Sequence, residues 1–212
     1  MILKRIVLPV LFICSLSASS FCQKSSSSGN VKSFKINGVS VTTKASFEFD
    51  TLGIVSPDTL RLTSCGEYVY SPFGKLYDKK DLKKSVLKDF QVADKKHWAA
   101  GEEFLLNELT LDSNKLILFF DKNPDEVPGS YVLKGEIFDN RIIFQDGIKI
   151  GMNTDDFYKT FFSLFPVELE NRYRVVSIST CENSVIHYYN FKDGKLLKVM
   201  FDCDERYWKL EY

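Results

Sequence analysis

The 212-residue chain reads as an α+β protein made of two helix-plus-antiparallel-sheet units, an internal duplication, and three observations predict this. First, residues 146–165 (DGIKIGMNTDDFYKTFFSLF) run a Gly-Ile-x-Ile stretch into a polar cap and a helix whose phenylalanines share one face. Second, three runs after that helix alternate apolar and polar residues and are separated by turn residues, the pattern of a meander. Third, pieces of the second half recur in the first. NGVSV (37–41) matches DGIKI (146–150), TLRLTSC (59–65) ends like VSISTC (176–181), and GKL occurs at 74–76 and 194–196. A second register instead pairs 78–90 with 154–165 and LTLDSNKLILFF (109–120) with STCENSVIHYYN (179–190). The expected division is a signal peptide (1–22), a Ser-rich tether (23–33), a first unit (34–138) and a second (139–212).

The N-terminus has the layout of a secretory signal. Lys4 and Arg5 precede an apolar core at 6–13, and small residues run on through Ser20. That core is far shorter than the ~20 apolar residues a bilayer-spanning helix needs. Small side chains at −3 and −1, Ser20 and Cys22, place the cut before Gln23 and the mature chain in the periplasm or the medium. A rival reading makes Cys22 a lipid-bearing first residue that anchors the chain in the outer membrane. A lipobox, however, wants a small residue where Phe21 stands. Loss of the leader removes two cations from an otherwise balanced set of 28 basic and 28 acidic residues. This near-neutral charge gives no electrostatic reason to expect nucleic acid or an anionic membrane as partner.

Along the mature chain, Asn37-Gly38 sets a tight hairpin between 33–36 and 39–42. Residues 45–52 fit a short helix or a strand equally. Alternation predicts strands at 59–65 and 68–70, and a helix at 78–90 (DKKDLKKSVLKDF) with Leu82, Val86, Leu87 and Phe90 as its stripe. Strands follow at 104–111, 115–120, 131–138, 141–144 and 148–150. Asn153 or Thr154 caps the helix 154–165, and Pro166 ends it. The last meander spans 173–181, 185–191 and 196–202 with an Asp193-Gly194 hairpin, and 206–212 adds a terminal strand or packs Trp208 on the sheet.

The run Gly147-Ile148-Lys149-Ile150-Gly151-Met152-Asn153-Thr154-Asp155-Asp156-Phe157, with 188–196 (YYNFKDGKL) after it, resembles the module of the β-lactamase-inhibitor-like fold. That fold includes the outer-membrane assembly lipoproteins of the SmpA/OmlA type. The resemblance covers about 60 residues, with 78–104 intervening between the units and no clear lipobox. It implies tandem modules whose sheet presents a surface to another protein.

Little in the sequence points to catalysis. His97 and His187 have no partner at metal or triad spacing. Asp121-x-Asn123-x-Asp125 opens like a calcium loop, but Glu126 stands where the turn glycine belongs and Val132 fills the twelfth position. Asp202-x-Asp204 is a solvated strand end, and Asp155 and Asp156 are helix-start residues. No catalytic, cofactor or metal set is legible. Three cysteines remain in the mature chain: Cys181 and Cys203, ending neighbouring strands, are the expected disulfide, and Cys65 is expected as a buried thiol. Three reduced, buried cysteines are the alternative. Tyr188, Tyr189, Phe191, Tyr207 and Trp208 crowd the C-terminal region. Successive strand residues face opposite sides, so one of Tyr188 and Tyr189 should face outward in an aromatic interaction surface, with core packing as the bland alternative. The expected function is an exported, non-enzymatic interaction module that binds an unknown envelope protein. The alternative is a small-ligand or glycan-binding protein using the aromatic C-terminal sheet.

Overall fold

The computed structural model describes residues 31–99, 101–121, 129–181, 184–203 and 210. The expected signal peptide with Cys22, most of the tether, the loop carrying Asn123 and Asp125, and Tyr207 and Trp208 lie outside the described residues.

The fold class is β, not the balanced α+β duplication expected: 51% of the described residues are in strands and 14% in helices. In chain order the strands are β1 (Ser33–Ile36), β2 (Val39–Thr43), β3 (Thr51–Ser56), β4 (Thr59–Thr63), β5 (Gln91–Ala99), β6 (Glu102–Leu111), β7 (Asn114–Asp121) and β8 (Gly129–Ile137). They continue with β9 (Phe162–Leu164), β10 (Val175–Ser179), β11 (Val185–Lys192) and β12 (Lys195–Cys203). The helices are α1 (Glu67–Tyr70), α2 (Thr154–Phe161) and α3 (Val167–Glu170). A nine-stranded sheet has the order β3-β4-β10-β11-β12-β8-β7-β6-β5, and a three-stranded one the order β1-β2-β9.

Neither expected unit closes on itself. β10, β11 and β12 of the second half sit between β4 and β8 of the first, and β9 completes the small sheet. The sequence match of 59–65 to 176–181 corresponds to side-by-side placement. β4 and β10 are the one parallel pair among the described strands, in register from Thr59↔Val175 to Thr63↔Ser179. Leu60, Leu62, Val176 and Ile178 are fully buried along this seam.

Turn chemistry explains the hairpins. Asn37-Gly38 and Asp193-Gly194 both hold positive φ at their two loop positions, as two-residue hairpins require. By contrast, the expected helix at 78–90 is a single 3-10 turn, Asp81–Lys84. Asp81 turns its carboxylate back to the Tyr77 and Asp78 N–H groups. Ser85 then bonds the Leu82 carbonyl and receives the Leu87 N–H, so its hydroxyl replaces a helical bond. The expected stripe also fails, since Leu82, Leu87 and Phe90 are buried while Val86 is exposed. Residues 68–70, expected as a strand, fall in α1. The two strands expected at 141–144 and 148–150 reduce to one bridge, Ile143↔Lys149.

α2 stops at Phe161 because Phe162 and Leu164 pair with Thr43 and Thr42 of β2. Its Phe157 ring lies 4.9 Å from both Tyr189 and Phe191, and its Phe161 ring 4.6 Å from Phe47. This aromatic packing is the centre of the main core, on one face of the large sheet. A smaller cluster on the opposite face joins Leu106, Ile117, Leu133, Cys203 and Leu210.

Gly135 marks the tightest approach in the large sheet. It pairs with Leu116 on one side and Phe201 on the other, and a Cβ there would stand 2.4 Å from the Lys115 carbonyl oxygen. Gly53, on the edge strand β3, has open space instead. Gly135→Ala is therefore expected to cost about 1–3 kcal/mol, the range for forcing a methyl into a packed site. Gly53→Ala should leave stability unchanged or slightly raised. Equilibrium urea unfolding of both variants checks this, and equal midpoints would refute the close-approach account.

Candidate functional site

Of the five aromatic residues singled out in the sequence, three are described, and the structure separates them. On β11, Val185, His187, Tyr189 and Phe191 face the main core and are buried, while Tyr188 is half-buried on the other face. Tyr188 sits between Ser177 and Met200 in register. Burial and Asp202 hold its hydroxyl pKa up against the pull of Arg61. Tyr189 is therefore core and not an outward surface, because β11 is a central strand whose inward face lies under α2, and Phe191, also buried, lines a groove at the end of that face.

The cysteine pairing also differs from expectation. The disulfide joins Cys65 to Cys181, with Cα atoms 5.2 Å apart, and Cys203 takes no part in it. Adjacent parallel strands in register bring the first two together, whereas Cys203 lies across β11 from β10. Cys65, expected to be buried, is exposed.

Two buried polar clusters occupy the core. In the first, the Tyr68 and Tyr189 hydroxyls share a 2.6 Å hydrogen bond, and His187 Nδ1 lies 3.4 Å from the Tyr189 oxygen. Burial pushes the His187 pKa down to about 3, outweighing the opposing pull of the Val69 backbone, and Nε2 has no hydrogen-bond partner. A sealed imidazole of this kind is a core group, out of reach of any substrate. His97 lies on β5 opposite Phe104, not in the loop expected.

The second cluster borders a groove through Tyr173 and Glu170. The Tyr158 and Tyr173 hydroxyls are buried and make no hydrogen bond. Burial raises both their pKa values, and Tyr173 and then Glu170 add to the shift at Tyr158. Glu170, on α3, is 9% exposed. Burial, with Asp155 adding and Lys159 opposing, lifts its carboxyl above the usual carboxylate range. Tyr173 and Glu170 line a groove of about 720 Å³ together with Phe191, Arg174, Asn190 and Lys192.

The walls of this groove follow from backbone pairing. The Arg174 and Val175 N–H groups both donate to the Asp58 carbonyl, at 2.9 and 3.1 Å, which ties the start of β10 to the β3–β4 turn. Phe191 N–H donates to the Arg174 carbonyl, and Thr154 N–H to the Gly194 carbonyl, which holds the β11–β12 hairpin against α2. Buried Tyr173, Phe191 and Thr154 thus meet exposed Arg174, Lys192 and Asp193 in one concavity. Of these, only Phe191 is a candidate interaction residue in the sequence, where Thr154 and Asp193 carry structural roles as a helix cap and a hairpin turn. The others come from turns and loop ends whose convergence depends on the β4–β10 pairing.

Comparison with family models, curated proteins and solved structures finds no match for this chain. The resemblance of 147–157 and 188–196 to the envelope module therefore rests on those residues alone.

The two clusters predict opposite behaviour on losing a hydroxyl. Tyr68→Phe leaves Tyr189 without its short partner in the core and is expected to cost about 1–2 kcal/mol. Tyr173→Phe removes a buried hydroxyl that bonds nothing in the protein and is expected to raise stability, by about 1–3 kcal/mol. Chemical denaturation of the pair checks this, and an equal loss in both would refute it. His187 adds a pH dependence. Its unfolded pKa is near 6.5, so below that pH the unfolded chain takes up a proton that the folded chain refuses. Stability contributed by neutral His187 is complete above pH 6.5 and is lost as pH falls towards 3, about 2 kcal/mol by pH 5. From pH 7 to 5 the melting point of wild type should therefore fall further than that of His187→Phe, by the equivalent of about 2 kcal/mol, and parallel pH profiles would refute this.

Proposed function

We propose that this is an exported binding protein that takes a small polyhydroxylated ligand, of the glycan type, in the groove between α3, the start of β10 and the β11–β12 hairpin. The observation that carries this reading is the Tyr173 hydroxyl, buried and unbonded on a residue that lines the groove together with Glu170, with the equally unbonded Tyr158 hydroxyl near both. A buried hydroxyl without a partner costs about 1–3 kcal/mol. A ligand hydroxyl reaching Tyr173 recovers that penalty, which makes the site selective for ligands with such groups. Glu170, with its raised pKa, is suited to bond a sugar hydroxyl, and the Asn171 and Asn190 amides offer both donors and acceptors. Phe191 gives an apolar patch for a sugar face, and Arg174 and Lys192 suit an acidic substituent. The Cys65–Cys181 bond supports the export part, because disulfides persist in oxidising compartments, and the leader at 1–22 agrees with it.

A thermal-shift screen against neutral and acidic oligosaccharides tests the proposal. A true ligand at 100 times its Kd stabilises by about 2.7 kcal/mol, roughly 5–10 °C for a chain of this size. Arg174→Ala and Asn190→Ala, at the groove rim, should reduce that shift while leaving the unliganded midpoint in place. A panel without a hit, or a shift indifferent to both substitutions, would sink the reading.

A further inference from the structure

The other end of the β4–β10 seam carries a cluster that the groove does not use. Cys65 follows β4, Cys181 follows β10, and Asp50 immediately precedes β3, so three neighbouring strands deliver their ends to one exposed spot. Asp50 Oδ2 accepts the Cys65 N–H at 3.0 Å and lies 3.2 Å from Cys181 Sγ. Its other oxygen is 3.8 Å from Lys32 Nζ. Both sulfurs and a carboxylate oxygen fall within 4.8 Å of one another.

A disulfide sulfur has no proton to donate, so the carboxylate gains no hydrogen bond from facing it. The same oxygen facing a thiol or thiolate is placed for proton or metal chemistry. We propose that the reduced pair, Cys65 and Cys181, together with Asp50, forms a site for one Zn²⁺-like cation. Two thiolates and one carboxylate oxygen would be its ligands, with the fourth position open to water. In a tetrahedral site with Zn–S bonds of about 2.3 Å the sulfurs stand roughly 3.8 Å apart. Side-chain rotation supplies that spacing from strand ends already 5.2 Å apart at Cα. The three ligands carry one negative charge more than the cation carries positive, and Lys32 offsets it. Thiolate sulfur favours zinc over calcium or magnesium.

The chemistry balances in two steps. An external dithiol reduces the disulfide, giving two protein thiols while it is itself oxidised to a disulfide. The cation then replaces the two thiol protons, so two protons are released per ion bound. The cluster is in this way a staple in one redox state and a metal site in the other.

The test uses the full chain with Cys14→Ser, Cys22→Ser and Cys203→Ser, so that Cys65 and Cys181 are the remaining thiols. After anaerobic reduction and removal of the reductant, Co²⁺ is titrated as the spectroscopic probe and Zn²⁺ is added to displace it. The expected result is a thiolate-to-cobalt absorption band saturating at one ion per chain and bleached by Zn²⁺. Asp50→Asn should weaken binding by about tenfold or more, as loss of a charged ligand does. Far-UV circular dichroism follows the fold throughout. If reduction weakens the strand signal, Zn²⁺ should restore it, because the cation ties the same two strands together. No band, a band that survives Cys65→Ser, an affinity unchanged in Asp50→Asn, or a strand signal lost on reduction and not recovered by Zn²⁺ would each overturn the proposal.

Discussion

The parallel pairing of β4 with β10 is the constraint on which the rest of this structure depends. It joins segments 116 residues apart, and every inward side chain along it, Leu60, Leu62, Val176 and Ile178, is fully buried. Side chains add little on the other face, where Arg61 Nε reaches Ser177 Oγ at 3.4 Å. The seam is therefore held by backbone pairing and apolar burial, with the disulfide as a lock beyond its last pair. A cross-link closing so long a loop stabilises by about 4–5 kcal/mol in the chain-entropy view. That is a large share of the 5–15 kcal/mol by which folded domains usually exceed their unfolded states. Without the seam, β10, β11 and β12 would lose their place between β4 and β8.

The seam also fixes where chemistry is possible. Parallel strands bring like ends together, which antiparallel neighbours do not. At the starting end, the Asp58 carbonyl binds the Arg174 and Val175 N–H groups, and the groove opens there. At the finishing end, Asp50, Cys65 and Cys181 gather. A groove and a cysteine–carboxylate cluster thus sit at opposite ends of one pair of strands, and each draws residues from both halves of the chain.

How much of this was legible in the sequence follows from the range of each interaction. Local turn chemistry was readable: the hairpins at Asn37-Gly38 and Asp193-Gly194 and the strands around them lie where the sequence puts them. The start of α2 was readable too, since Thr154, Asp155 and Asp156 suit a helix N-terminus whatever packs on it. Its end was not, because β9 pairs with β2, Leu164 with Thr42 and Phe162 with Thr43, far away in sequence, and this overrides the helical pattern of Phe162–Leu164. The lysine-rich 78–90 segment failed for a different reason: its apolar count fits a helix, but Ser85 and Asp81 spend their side chains on the backbone. β5 left no trace in the pattern, since Asp94, Lys95 and Lys96 keep an edge strand polar on both faces. The match of 59–65 to 176–181 reads as duplication, whereas in the fold it belongs to two paired strands sharing one environment. Of the groove, Phe191 alone stood out, because Glu170, Tyr173 and Arg174 have no spacing that sets them apart from ordinary loop residues.

The proposed binding site rests on the contrast between the two buried tyrosine clusters. Tyr68, Tyr189 and His187 satisfy one another's hydroxyls behind α2, with Phe161 5.8 Å from Tyr68 and Phe201 4.8 Å from His187 closing the space. The unbonded atom of that cluster, His187 Nε2, is sealed in the core and lines no groove, and burying the imidazole costs stability in acid. Tyr158 and Tyr173 are as deeply buried but unsatisfied, and the Tyr158 ring stacks on Phe165 at 3.9 Å. That packing holds the Tyr158 ring in place, while Tyr173 reaches the wall of the groove. A core assembled for stability alone would be better served by phenylalanine at both positions, as it is at Phe157 and Phe161. The retained Tyr173 hydroxyl makes physical sense under the proposed function, in which something from outside the chain completes its bonding by way of the groove that Tyr173 lines.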